Sequence, residues 1–200
     1  MLSGIDISHW EWDLYKNGKL DLKTPDFIIL KATEGKTYYD SYADYFLSMI
    51  DRRRQMYGFY HYAHPESNTP QQEVYNFLSH VSQHIGNALF ALDVEGKALN
   101  LNNRDLSKWV LTFIRTFQRE TGVKPLIYTG TEGLQKIGRE TLAEDVGLWF
   151  ARYRRSIDKS MYSPYPFYAI WQYTETPYDK NFFNGTVRQW KKYCERRSHG

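Results

Sequence analysis

Residues 91–96 read Ala-Leu-Asp-Val-Glu-Gly, an apolar run ending in two acids, Asp93 and Glu95, with one residue between them. Side chains alternate across a strand, so positions i and i+2 point the same way, roughly 6.5–7 Å apart along the backbone. Two carboxylates on one face at the end of a buried strand repel each other, and burial adds to the cost of charging either. One of the pair is thereby pushed toward its protonated state. An acid held neutral beside one held ionised is the pairing that cleavage of a glycosidic bond uses.

Three further acids fall at comparable places. Asp6 sits late in the first apolar run, Glu34 follows the second in Lys31-Ala32-Thr33-Glu34-Gly35, and Asp179 lies just after Thr174–Tyr178, where a short final strand is expected. Each alone has a plain structural explanation: Asp6 as a turn cap, Glu34 as a solvated turn residue, Asp179 as a loop acid. Carboxylates at the C-terminal ends of several different strands would instead converge at one mouth of a barrel. Aromatic residues gather near the same strand ends, among them Trp10, Tyr62, Tyr128, Trp149, Tyr153, Trp171 and Tyr173. Sugar rings stack their C–H faces on such side chains, whose edges still hydrogen-bond; Trp171 and Phe150 are also candidates for the core. His61 and His64, three apart across a strand end, do not share a face, and no His-Glu-x-x-His element accompanies them. No metal or cofactor is therefore expected. Ser8-His9 lacks the nucleophile elbow that a triad would need.

The elements that must position these groups alternate. Strand-like segments are Gly4–Ile7, Phe27–Leu30, Gly58–Ala63, Ala88–Leu92, Leu126–Tyr128, Leu148–Ala151 and Ala169–Tyr173. Between them, Tyr42, Tyr45, Phe46, Met49 and Ile50 follow a helical spacing. Thr69-Pro70-Gln71-Gln72 reads as a capping box with proline at the first helical position, ahead of Val74, Phe77, Leu78 and Val81. A long helix from about Arg104 to Glu120 buries Leu106, Trp109, Val110, Phe113, Ile114 and Phe117, stopped by Gly122. Another helix starts after Thr131. Repeated strand–helix units with nearly all-apolar strands imply a parallel sheet covered by helices. Past Leu148 the helical signal fades. The fold class is α/β, a single irregular β/α barrel of the TIM type whose last strands lack full helices. An open doubly wound sheet is the alternative, but Gly130-Thr131-Glu132-Gly133 lacks the phosphate-loop spacing and its lysine.

At 200 residues, with 42% apolar and 17% aromatic residues and a mean hydropathy of −0.65, the chain reads as one soluble domain. No run approaches the ~20 apolar residues of a membrane span, and no secretory signal opens it. Cys194 is the single cysteine, so no internal disulfide forms. The net charge of +3 is uneven, because Val187–Gly200 carries Arg188, Lys191, Lys192, Arg196 and Arg197 against Glu195. The layout expected is a catalytic domain over 1–186 and a basic, solvated tail over 187–200, with no nucleic-acid footprint.

Gly4-Ile5-Asp6-Ile7-Ser8, Lys31–Gly35, Gly58-Phe59-Tyr60-His61-Tyr62, Leu92-Asp93-Val94-Glu95 and Ile127-Tyr128-Thr129 together resemble glycoside hydrolase family 25, the Chalaropsis-type lysozymes. Leu148–Tyr153, Ile170–Tyr173 and Tyr178-Asp179-Lys180-Asn181 extend the likeness in the same order. The resemblance implies an incomplete β/α barrel that hydrolyses the β-1,4 bond between N-acetylmuramic acid and N-acetylglucosamine in peptidoglycan. It makes Glu95 the general acid and Asp93 its partner, either in direct displacement or, as favoured here, by assisting the substrate's own acetamido group. Asp6 and Asp179 then line the site and tune the pair, while Glu34, Tyr62, Tyr128, Trp149, Tyr153, Gln172 and Trp10 contact substrate. The implied partner is the wall polysaccharide, met by a monomer without membrane insertion. The enzyme would reach the wall by secretion or by release from a phage-infected cell. A chitinase-like enzyme would need acids where this chain has Ala88 and Ala91. A non-catalytic wall-binding barrel would have no need of both acids, and a phosphodiesterase would need a metal cluster.

Overall fold

The apolar runs bounded by glycine or proline become strands, and the amphipathic runs between them become helices, in a computed structural model that describes residues 1–196. In chain order the first half is β1 (Leu2–Ile7), α1 (Trp12–Lys16), β2 (Phe27–Glu34), β3 (Tyr38–Tyr39), α2 (Ala43–Met49), β4 (Met56–Tyr62), α3 (Pro70–Val81) and β5 (Leu89–Asp93). The second half is α4 (Asn103–Thr121), β6 (Leu126–Thr129), α5 (Thr131–Ala143), β7 (Leu148–Ala151), β8 (Ile170–Thr174), β9 (Lys180–Phe183) and α6 (Val187–Cys194). The helix signals act as their chemistry requires. Thr69 and Gln72 close a reciprocal capping box on α3, and Gly122 ends α4 in the left-handed conformation at φ 75°.

Eight strands close a barrel in the order β1-β9-β8-β7-β6-β5-β4-β2, with β2 pairing back to β1. Seven run parallel; β9 runs antiparallel to both β1 and β8. The short β3 pairs antiparallel with the end of β2, outside the ring. No α-helix intervenes between β7 and β8 or between β8 and β9, so the helical coat is incomplete there, as the fading pattern after Leu148 implies. One expectation needs correcting. The final strand is not at Thr174–Tyr178 with Asp179 behind it; Asp179 comes just before β9. Because β9 is reversed, its beginning lies at the same mouth as the C-terminal ends of the parallel strands.

Strand parity divides the core into two layers. Phe27, Ile29, Leu89, Ala91, Leu126, Tyr128, Trp149 and Ile170 fill the barrel. Their neighbours Ile28, Leu30, Phe90, Leu92 and Ile127 face outward and pack with Phe77, Val110, Phe113 and Phe117 of the helices. The far end of the barrel is plugged by α6. The segment expected as a solvated basic tail is a capped helix to Cys194, with Trp190 and Cys194 buried. The Trp190 ring lies 4.8 Å from Phe27 and 5.2 Å from Phe183. Its basic residues Arg188, Lys191 and Lys192 stay exposed, and residues 197–200, with Arg197, lie outside the described residues. None of the described helices is long and apolar enough to cross a membrane.

Removing the plug tests whether α6 belongs to the cooperative unit. Trp190→Ala leaves a large buried cavity, so it is expected to cost about 3–5 kcal/mol. Lys191→Ala, on the exposed side, should stay within about 0.5 kcal/mol. Denaturant melts of the two variants check this, and a loss under about 1 kcal/mol at Trp190 would mean the helix frays independently of the barrel.

Candidate active site

The paired acids stand where parity places them. Asp93 ends β5 facing into the barrel, Val94 turns into the outer core, and Glu95 faces the mouth again in extended backbone, φ −150° and ψ −172°. The backbone through this pair is pinned from both sides. Ala63 N–H donates to the Asp93 carbonyl at 3.0 Å, Val94 N–H to the Tyr128 carbonyl at 3.0 Å, and the Thr129 hydroxyl to the Val94 carbonyl at 2.7 Å. Gly96 then turns the chain away at φ 57°, and a Cβ there would come within 2.6 Å of the Tyr62 hydroxyl. Only glycine meets both demands, the left-handed turn and the close approach.

Asp6, Asp93, Glu95 and Asp179 line one narrow pit with Tyr60, Tyr128, Trp149 and Gln172. All four acids expected to do chemistry are therefore brought together. Asp6 accepts hydrogen bonds from Gln172 Nε2 at 3.0 and 3.2 Å and from Asn181 Nδ2 at 2.6 Å. Gln172 Oε1 in turn accepts from the hydroxyls of Tyr128 at 2.9 Å and Tyr153 at 3.1 Å. The Asp93 carboxylate is 6% exposed, yet its Oδ1 is buried with no hydrogen-bond partner. A buried acceptor left unpaired is costly, and such groups mark places where a ligand supplies the missing donor.

Burial raises every acid in the pit. Desolvation, reinforced by the charge of Glu95, pushes Asp93 well above the ordinary carboxylate range. Desolvation raises Glu95 too, against the pull of Lys31. Asp6 is pushed to about 7 by burial, despite the hydrogen bonds from Gln172 and Asn181 that favour its charge. Asp179 reaches about 8 through burial and the neighbouring Asp6 and Glu11. The mouth therefore holds several protons near neutral pH.

The remaining expected contacts are placed unevenly. Tyr128, Trp149 and Gln172 do line the pit. Trp149, however, is 1% exposed with its indole donating to Asn181 Oδ1 at 2.8 Å, so it braces the floor and offers no free face for a sugar. Tyr153 keeps an exposed ring while its hydroxyl reaches Gln172. Tyr62 stands beside the pit with the Lys31 ammonium 4.9 Å from its ring centre. Glu34 lies outside the pit, held by Lys31 Nζ at 2.6 Å and by His64 Nε2 at 2.7 Å. Trp10 is 76% exposed and stacks near His9, away from the pit lining. His61 is structural: its Nε2 pairs with the buried Glu73 carboxylate at 2.8 Å, tying β4 to α3. Among the described residues no three His, Cys, Asp or Glu side chains group as metal ligands.

Three site residues escaped the sequence reading. Tyr60 and Lys31 share inward parity with Tyr62 and with Phe27 and Ile29, a signal that alternation alone carries. Asn181 had none, because its role depends on the reversed β9.

The model of glycosyl hydrolases family 25 matches residues 5–182. The chain is similar to the uncharacterized protein YegX of Escherichia coli (strain K12), 26% identical over 97% of this chain and 74% of that protein. It is similar to the N,O-diacetylmuramidase of Arthroderma benhamiae, 25% identical over 84% of this chain and 77% of the relative. Among solved structures, a muramidase from Trichobolus zukalii superposes with a TM-score of 0.80 at 26% identity, covering 98% of this chain and 99% of the other.

The raised Asp179 has a consequence for stability. Its folded pKa of about 8 exceeds the ordinary 3.8, so the folded state binds the proton more tightly. Its penalty is absent below about pH 4 and grows as pH rises toward 8. Asp179→Asn removes the ionisation without changing shape. Its melting temperature should match the parent near pH 4 and exceed it by about 3–8 °C near pH 8. Thermal melts at both pH values check this; equal differences at the two would show that Asp179 does not carry a raised pKa.

Proposed function

Because the chain belongs to glycosyl hydrolases family 25, we propose that it is a lysozyme cutting the β-1,4 bond from N-acetylmuramic acid to N-acetylglucosamine in peptidoglycan, with Glu95 as general acid and Asp93 as the assisting carboxylate. Family membership and muramidase relatives make the protein a glycoside hydrolase of the lysozyme kind, acting on the bacterial wall.

The observation that carries the finer part is the unpartnered, buried Oδ1 of Asp93 beside Glu95. A sugar with a 2-acetamido group brings an N–H donor on C2, trans to the β-glycosidic bond, so that its carbonyl oxygen can reach the anomeric carbon from the face opposite the leaving group. With that N–H on Asp93, the acetamido carbonyl oxygen attacks the anomeric carbon as the glycosidic C–O bond breaks. Glu95 gives its proton to the departing oxygen. The positive charge then on the cyclised acetamido group lies against Asp93, whose ionised form it favours. Water next attacks the anomeric carbon, Glu95 takes its proton, and the acetamido ring reopens, so the anomeric configuration is retained overall.

The surroundings of Glu95 suit its role. Burial keeps Glu95 protonated to higher pH than a free glutamate, as a general acid requires. Lys31 favours the charged form of both acids. It thereby limits the desolvation penalty that Asp93 meets when it ionises against the substrate. Asp6 and Asp179 act here as electrostatic neighbours, while Tyr128 and Gln172 fix the pit wall. Tyr62, Tyr153, Glu34 and Trp10 are proposed to meet sugars further along the strand.

Glu95→Gln should keep the fold and wall binding while turnover falls by about 10³-fold or more. Asp93→Asn should lose about 10²–10³-fold, since the amide cannot stabilise a cationic acetamido ring. The check is mass spectrometry of borohydride-reduced products from purified peptidoglycan. Reduced muramic-acid ends made by the parent and missing with Glu95→Gln are the expected result. Reduced glucosamine ends would mean a glucosaminidase, and binding without new ends would mean a wall-binding protein.

A further inference from the structure

Where the helical coat is missing, the outer faces of β8 and β9 carry a run of aromatic residues. Gln172 and Asn181 point into the barrel toward Asp6, so their neighbours Trp171, Tyr173 and Phe182 point out. Tyr173 and Phe182 stack with ring centres 4.6 Å apart, and Trp171 sits 5.8 Å from Tyr173. These rings line an open groove of about 550 Å³ whose other side is Tyr153, Arg154 and Arg155. Trp171 is anchored there by its indole, which donates to the Arg152 carbonyl at 2.8 Å.

Two features decide what the groove suits. The first is charge. Arg154 and Arg155 are exposed and form no ion pair or hydrogen bond among the described residues, whereas the pit beside them is walled by Asp6, Asp93, Glu95 and Asp179. Two exposed cations thus stand over the lip of the barrel from a pit lined by acids. The second is continuity. Tyr153 belongs to both places, with its ring in the groove and its hydroxyl on Gln172 in the pit. A branch leaving a polymer on the Tyr153 side of the mouth would meet this groove.

We propose that the groove is a binding site for the acidic peptide branch of the wall polymer, so that the protein reads the branch as well as the sugar backbone. The inference rests on the lysozyme reading, which supplies a glycan whose muramic residues bear short peptides with free carboxylates. Those carboxylates would find no cationic side chain among the residues lining the pit and would be drawn to the two guanidinium forks beside it. The alanine methyls and peptide planes of such a branch pack on the flat faces of Tyr173, Phe182 and Tyr153. An uncharged glycan has no use for the two arginines.

The test compares the parent with an Arg154→Ala/Arg155→Ala variant on two soluble substrates, glycan chains that keep their peptides and the same chains stripped by an amidase. Both substitutions are on the surface, and a thermal melt confirms the fold. The variant is expected to lose about tenfold in kcat/KM on peptide-bearing chains, through KM, and to match the parent on stripped chains. Stripping frees the lactyl carboxylate of muramic acid, which the peptide had capped as an amide, so a loss on stripped chains as large as that on peptide-bearing chains, or larger, would assign the arginines to the glycan and overturn the proposal. Unchanged kcat/KM on peptide-bearing chains would overturn it as well. If the parent cleaved neither substrate, the lysozyme reading itself would fall, and this inference with it.

Discussion

Repulsion among acids crowded at one mouth is the constraint around which the barrel is arranged. Asp6, Asp179 and the Asp93–Glu95 pair come from three different strand ends, and all four are raised by burial or by one another. A flexible scaffold would relax by spreading them. Here the spreading is blocked by hydrogen bonds that cross the ring: Gln172 of β8 and Asn181 of β9 both donate to Asp6 of β1. Trp149 of β7 holds Asn181 from below, and Tyr128 of β6 holds Gln172 from the side. Four consecutive strands of the ring are thus tied to β1 through side chains as well as backbone. Strain of this kind, held by a rigid surround, is the pattern of a preorganised site.

The reversed β9 explains how the chain closes with so little material. A parallel eighth strand would need a crossover helix of a dozen or more residues. An antiparallel one needs only the short run from Glu175 to Asp179 after β8. The shortcut leaves the outer faces of β8 and β9 without a helix, and aromatic side chains cover them instead. It also puts Asp179 and Asn181 at the mouth, where a parallel strand would have delivered its C-terminal residues. The economy of the connection and the composition of the site therefore have one cause.

The same cause marks the limit of what the sequence discloses. Seven strands, the capped α3, the long α4 and the barrel class could be read from alternation, helical spacing and Gly or Pro punctuation, because these are local signals. Asp93 and Glu95 were legible for the same reason, since i and i+2 on a strand is a local fact. The direction of β9 is not local. It is decided by pairing with β1, which precedes it by most of the chain, so Asp179 was placed behind a strand that in fact follows it. Tryptophans at strand ends suggested sugar platforms, but one-dimensional pattern cannot tell inward from outward at a barrel seam. Trp149 turned inward to brace Asn181, and Trp171 turned outward. The basic run from Val187 read as solvated because its charges outnumber its apolar residues, although Trp190 and Cys194, four apart, give the helix one buried face.

The unpartnered Asp93 oxygen gives the arrangement its direction. Its buried neighbours Asp6 and Gln172 have protein partners: Asp6 has Gln172 and Asn181, and Gln172 has two tyrosines. Asp93 has the pinned backbone, the burial and the neighbouring charge, but nothing on Oδ1. In the free protein the cheapest answer to that deficit is a proton, which is why burial drives Asp93 upward so strongly. A ligand that brings an N–H donor, and then a developing positive charge, reverses the preference and makes the ionised form the stable one. On the mechanism proposed for Asp93, the gain is small in the ground state, where the donor is a neutral amide, and large once the acetamido group carries charge. An acid held in this way favours the transition state over the substrate, and that difference, more than the affinity, lowers the barrier.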